Sequence, residues 1–336
     1  MLDKPDFPNE KVIACLQADY GLRIVHVAFL PLGNDLSTAV YRAVAEDETS
    51  YFCKLKRGAF DDTSVALPKL LSEAGIAQII PPLTTKMGQL RAGVDDFNLI
   101  VYPFVEGING YDIELSEDQW TDFGTALKRI HTTLVPPALI GTMQTETYAP
   151  FWRERCAQAI AHLDTELFDD PVLVDLAEFL ASKRDMIHDL LGRAEQLAHV
   201  MTARALECVV CHTDIHPGNL FIATTGALFI VDWDYPALAP KERDLMFIGG
   251  GQGFRGRTAQ EEEQRFYQGY GQGQIDPIAL AYYRSERNIM DIAVACEQIL
   301  SSKQGGQDRA QTLGYLKWSF MPDCAIEIAL KMSSGS

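Results

Sequence analysis

Apolar residues change their spacing along the chain, from a two-residue period to a helical one. Leu22–Leu30 and Leu36–Ala45 alternate like strands with one face on a core. Pro31-Leu-Gly-Asn-Asp-Leu-Ser37 joins them, with Gly33, Asn34 and Asp35 as turn formers. The polar turn Ala45-Glu-Asp-Glu-Thr-Ser50 leads into a third strand, Tyr51–Lys56, and Phe97–Val105 is a further apolar strand ending at Glu106-Gly107. A short helix precedes the strands: it opens at Asn9, puts Val12, Ile13 and Leu16 on one face and ends at Gly21. Another helix spans Thr63–Glu73 and stops at Gly75, its regular part expected to begin at Pro68. The first hundred residues thus predict an antiparallel sheet with an inserted helix.

Beyond Gly110 the pattern is helical. Ser116-Glu-Asp-Gln119 is a capping box, followed by Trp120, Phe123, Leu127 and Ile130 at helical spacing. Pro136-Pro137 breaks the pattern, and helices are expected near Pro150–Glu166, Val172–Ala203, Gln260–Tyr270, Pro277–Ser301 and Pro322–Met332. A short β patch interrupts them: Cys208–Cys211, Leu220–Ala223, a turn at Thr224-Thr-Gly226, then Leu228–Val231. The expected class is α+β. A β-rich lobe over 1–105 precedes a larger helical lobe over 106–332, with a cleft between them and a hinge near Val105–Gly110.

The 336 residues carry 29 Lys and Arg against 46 Asp and Glu, a formal net charge of −17. That charge opposes binding to nucleic acid or to an anionic membrane; it is compatible with a cationic small molecule, although a solvated acidic surface is the commoner reason for it. The polar N-terminus, and the absence of an apolar run of the ~18 residues a bilayer requires, predict a cytoplasmic protein. Seven scattered cysteines are no disulfide framework. Cys208 and Cys211 spell C-x-x-C on a strand, where they face opposite ways and cannot share a metal. Gly251-Gln-Gly-Phe-Arg-Gly256 spells the dinucleotide fingerprint, but it follows a helical segment and lacks a βαβ unit. His212 and His216 are separated by three residues on a loop containing Pro217, a poor metal pair. The terminal Ser-Ser-Gly-Ser is expected to be disordered.

The chemistry concentrates in Cys211-His-Thr-Asp-Ile-His-Pro-Gly-Asn-Leu-Phe-Ile222 and Phe229-Ile-Val-Asp-Trp-Asp234. Asp214 and Asn219 share a loop between strands, and Asp232 follows the next strand. Asn219 and Asp232 offer hard oxygen ligands for Mg²⁺. Asp214, five residues before the amide, is placed to take the proton of an attacking hydroxyl, the order used in kinase phosphoryl transfer.

His212-x-Asp214-x4-Asn219 followed by Ile230-Val-Asp232-Trp-Asp resembles the signature of the aminoglycoside phosphotransferases and choline kinases, which share the protein-kinase-like fold. The resemblance implies that His212 is a structural loop residue and Asp214 the catalytic base, with ATP and Mg²⁺ as cofactors. Tyr51-Phe-Cys-Lys-Leu-Lys56 is similar to the strand that carries the family's phosphate-binding lysine. Lys54 is preferred for that role, with Lys56 on the same face as the alternative. The acid that pairs with this lysine in the family would be Asp62, or else Glu73. Leu32–Thr38 corresponds to the loop over the nucleotide phosphates, where Ser37 and backbone N–H groups would meet phosphate oxygens. Phe97–Gly107 resembles the adenine hinge, with Pro103 supplying a carbonyl and Val105 an N–H.

Ala239–Gly251, Phe266–Gly271, Tyr282–Arg287 and Asp291 resemble the spectinomycin phosphotransferases within this family. The implied activity is ATP- and Mg²⁺-dependent phosphorylation of the 9-hydroxyl of spectinomycin, a cationic aminocyclitol antibiotic, with no obligate protein partner. Carboxylates would hold such an acceptor. Besides Asp214, Asp234 is the acid expected to face it, whereas Asp244 is expected to fix the catalytic loop and Glu286 is as readily a surface charge as an acceptor-holding acid. Two alternatives stand beside this reading: a metabolic kinase acting on choline, homoserine or methylthioribose, and a catalytically inactive binding module.

Overall fold

A computed structural model describes Lys4 and residues 7–32, 37–301 and 306–332. The turn residues Gly33–Leu36 and the C-terminal Ser-Ser-Gly-Ser lie outside the described residues. The backbone contacts divide the chain into two compact units, Met1–Gln144 with Gly218–Pro236, and Thr145–Pro217 with Ala237–Ser336.

The first unit is built on an antiparallel sheet of order β1-β2-β3-β5-β4 among the described residues. Its strands are β1 (Ile24–Leu30), β2 (Thr38–Ala45), β3 (Ser50–Arg57), β4 (Ala92–Val94) and β5 (Phe97–Pro103). Alternation decides its two faces. Cys53 and Leu55 of β3 join Tyr41, Ala43, Leu99 and Val101 in a buried cluster, which α1 (Asn9–Cys15) covers with Val12 and Cys15. Lys54 and Lys56 consequently point to the other face. The turn after α1 runs as a π-helix to Tyr20 and ends at Gly21, whose φ of 74° suits glycine.

Helix α2 (Thr63–Glu73) starts before Pro68 and carries it inside. The expected start at Pro68 is thus corrected. Thr63, Ser64, Val65, Leu67 and Pro68 are all buried, and that packing outweighs the donor that proline lacks. A second small sheet, β6 (Gly107–Asn109), β9 (Leu220–Ala223) and β10 (Leu228–Ile230), brings the hinge segment onto the downstream motif. Gly107 is required there, because a Cβ on it would lie 2.2 Å from the Ile222 carbonyl oxygen. The unit also holds α3 (Glu117–Thr132), opened by the Ser116–Gln119 capping box, and α4 (Pro137–Ile140). A two-residue strand, β7 (Gln144–Thr145), falls at the chain boundary of the units.

The second unit is helical: α5 (Phe151–Thr165), α6 (Pro171–Ser182), α7 (Arg184–Thr202), α8 (Glu242–Leu245), α9 (Ala259–Tyr270), α10 (Pro277–Ser301), α11 (Gly306–Ser319) and α12 (Ala325–Lys331). The single helix expected over Val172–Ala203 is two, split at Lys183, where φ −108° and ψ 8° leave the helical region. Residues of α10 are buried on every side, from Leu280 and Tyr283 to Ile292 and Cys296, so this 25-residue helix is the centre of the unit. Strand β8 (Val209–Cys211) pairs with β11 (Ala237–Ala239), not with β9. The β patch expected from the sequence therefore belongs to two sheets. Among the described residues, no helix is long and apolar enough to cross a membrane.

Candidate active site

In the first unit, Lys54 extends from β3 to the turn after β10. Its Nζ lies 2.8 Å from Asp232 Oδ1 and 2.6 Å from Asp234 Oδ1, while Lys56 Nζ lies 3.1 Å from Asp234 Oδ2. The local backbone arranges this. Asp232 adopts φ 64°, which turns the chain out of the strand. The intervening Trp233 is buried and donates its Nε1–H to the Ile230 carbonyl at 3.2 Å. Both carboxylates thus fall on the lysine side. Burial opposes the charge on Lys54, but Asp232 and Asp234 outweigh it and raise its pKa above the usual lysine range. Asp234, the acid expected to face the acceptor, is instead half-buried between Lys54 and Lys56, which hold its carboxyl below the usual range. Lys56 also stands 5.2 Å from the centroid of the exposed Tyr235 ring.

The partner expected for Lys54 is corrected. Asp62 Oδ1 instead receives Arg91 Nε at 2.7 Å, and Glu73 pairs with Lys69 on its own helix. Asp62 sits at the exposed start of α2, within reach of Arg91, whose guanidinium also stacks on Phe60 and bonds Asn98. The acids of Lys54 come from far downstream, where its β3 face points.

Asn219 is buried, and its carbonyl accepts the Val231 N–H at 3.0 Å, extending the β9–β10 ladder to the residue before Asp232. An amide and a half-exposed carboxylate are thereby neighbours across one hairpin. This pair of hard oxygen donors fits a Mg²⁺ ion.

At the hinge, the Phe104 N–H is bonded to the Ser50 carbonyl at 3.2 Å. Strand alternation then turns the Pro103 carbonyl away from β3. Ser37 is exposed, and its carbonyl accepts the Arg57 N–H at 2.9 Å.

Asp214 belongs to the second unit. Asp244, fully buried at the start of the α8 turn, accepts the N–H of His212 at 2.9 Å and of Thr213 at 2.7 Å. Thr213 is held at φ 73°, and His212 Nδ1 accepts the Asp214 N–H at 3.3 Å. His212 is thus a buried loop-fixing residue. Asp214 Oδ1 is bonded by Arg287 Nη1 of α10, and Asp214 Oδ2 lies 3.6 Å from His216 Nε2. Burial would raise the Asp214 pKa, but Arg287 and then His216 hold the carboxyl well below its usual range. It remains an acceptor across physiological pH.

Arg287 is a site residue that the sequence does not reveal, because it lies 73 residues from Asp214. Glu286, beside it, is corrected from surface charge to buried ion pair: it receives Arg153 Nη1 at 2.6 Å. Adjacent helical residues face different directions, which separates the two. The Gly251–Gly256 stretch is a turn with φ 67° at Gly251 and 77° at Gly256, with no strand before it.

Comparison with known proteins identifies the family and the fold. Residues 28–285 match the phosphotransferase enzyme family. A crystal structure of spectinomycin phosphotransferase APH(9)-Ia, in complex with ADP and spectinomycin, is 35% identical over 99% of this chain and 100% of its own, with TM-score 0.89. The amicoumacin kinase hAmiN, in complex with AMP-PNP, Ca²⁺ and Ami, shares the fold at TM-score 0.63 and 16% identity, covering 93% of both chains. Protein StrN of Streptomyces griseus is 26% identical over 225 residues, 64% of this chain and 67% of its own. The chain belongs to the phosphotransferase enzyme family and is a phosphotransferase of the protein-kinase-like fold.

Proposed function

We propose that this enzyme transfers the γ-phosphoryl group of ATP to the 9-hydroxyl of spectinomycin or a closely similar cationic aminocyclitol. The observation that carries this reading is the 35% identity to spectinomycin phosphotransferase over 99% of the chain. An unbroken set of phosphoryl-transfer residues supports it.

The Pro103 carbonyl and Val105 N–H receive the adenine edge, and Ser37 meets the phosphates. Lys54 binds phosphate oxygens while Asp234, itself bonded to Lys56, holds its ammonium in place. Asn219 and Asp232 hold Mg²⁺, which when bound neutralises charge on the phosphates. Asp214 accepts the proton of the acceptor hydroxyl. Asp214 together with other acids of a chain bearing a net charge of −17 also favours a cationic acceptor. Catalysis in this scheme is positioning and charge neutralisation, with no covalent enzyme intermediate.

The test is phosphate transfer by purified protein from ATP to spectinomycin, with Mg²⁺ omitted as control and the product position read by NMR. Transfer to the 9-hydroxyl, lost without Mg²⁺, is expected. No spectinomycin turnover would sink the substrate assignment, and transfer to choline, homoserine or methylthioribose would replace it.

A further inference from the structure

Arg287 joins two carboxylates. Its Nη1 bonds Asp214 Oδ1, and its Nε lies 2.9 Å from Asp291 Oδ1, one turn further along α10. The side chain is 12% exposed, and the guanidinium lies 5.2 Å from the centroid of Phe247. The same short stretch thus acts twice. Asp244 fixes the backbone of His212 and Thr213, and Phe247, three residues on, backs both the guanidinium and the His216 ring. Asp291 and Phe247 restrain Arg287, and Arg287 in turn restrains one oxygen of Asp214. The other oxygen, Oδ2, lies 3.6 Å from His216 Nε2, within ion-pair range.

We propose that Arg287 is a positioning residue for phosphoryl transfer: by holding Oδ1 of Asp214 it presents Oδ2 to the acceptor hydroxyl. The proposal rests on the reading of Asp214 as the base. In the step it serves, the acceptor O–H gives its proton to Oδ2. The acceptor oxygen bonds to the γ-phosphorus, the bond from that phosphorus to the β–γ bridging oxygen breaks, and ADP leaves with the electron pair. A guanidinium suits this role, because its planar fork fixes direction toward two acids, whereas an ammonium supplies a point charge.

The test compares wild type, R287K, R287M/D291N and D214N with ATP, Mg²⁺ and spectinomycin. The double variant removes the cation together with its i+4 acid, so that Asp291 is not left without its cation. Its kcat is expected to fall on the order of 10²-fold, the cost of misplacing a catalytic group by about an ångström. KM for ATP should not change, since the nucleotide residues belong to the other unit. R287K should recover part of the loss. Crystal structures should show Asp214 in one rotamer in wild type and in several in R287M/D291N. A wild-type kcat, or an unchanged Asp214 rotamer, in the double variant overturns the positioning role. A wild-type kcat in D214N overturns the base assignment instead. Should the double variant not fold, R287K decides, and wild-type kcat there overturns the proposal. Should wild type not turn over spectinomycin, the rotamer comparison decides alone.

Discussion

Lys54 and Arg287 each bond a pair of aspartates, Lys54 to Asp232 and Asp234, Arg287 to Asp214 and Asp291. The two clusters differ in what they permit. Lys54 is a point charge on a flexible stem, one of its acids is half-exposed, and the other is shared with Lys56. It can exchange a carboxylate for a phosphate oxygen without leaving Asp234 unpaired. Arg287 is a rigid fork against an aromatic face, and its geometry resists exchange. Under the proposed function, one cluster would change partners when nucleotide arrives and the other would keep them.

The comparison breaks most completely at the acids proposed to do the chemistry. D214N should lower kcat on the order of 10³-fold, the range of a lost general base. Its thermal midpoint should change little, because Arg287 retains Asp291. D232N should follow, with a loss on the order of 10²-fold, as for removal of one electrostatic stabiliser of the transition state. Calorimetry should show that its ATP binding no longer depends on Mg²⁺. Next come the lysines. K54M should weaken ATP binding strongly and K56M by about tenfold or less, since Lys56 is bonded to Asp234 alone of the two acids. Equal effects in a binding titration would mean that the two lysines share the phosphate role.

Glu262 sharpens the contrast from outside. It is more deeply buried than Asp234 and is bonded to the Gly249 N–H at 2.9 Å instead of to a cation. Burial therefore wins and raises its pKa from 4.5 to about 7. The unfolded chain releases this proton at lower pH than the folded one. Stability from this group is therefore present below 4.5 and is lost as pH rises to about 7. The change is on the order of 3 kcal/mol. In E262Q this fall should disappear, measured by denaturant unfolding at about pH 5 and about pH 8.

Much of this arrangement is legible in the sequence, for identifiable reasons. Lys54 can be placed because strand alternation puts Cys53 and Leu55 in the core. Asp214, Asn219 and Asp232 declare themselves because their spacing is local to one loop and hairpin. What the sequence hides is set by packing over long separations. Asp62 meets Arg91 because the start of α2 is exposed beside β4. Arg287 meets Asp214, and Glu286 meets Arg153, because α10 runs through the middle of its unit and turns successive residues to different neighbours. Strand β8 pairs with β11 rather than β9, although β9 follows it in sequence.

Thr213 is a β-branched residue held at φ 73°, immediately before Asp214. Such a residue is strained there, and glycine would not be. A laboratory selection for heat resistance alone would reward Thr213→Gly. A selection for the proposed phosphoryl transfer would reject the same change, because it frees the segment that carries Asp214. Evolving this enzyme under both pressures at once would set that one position against itself.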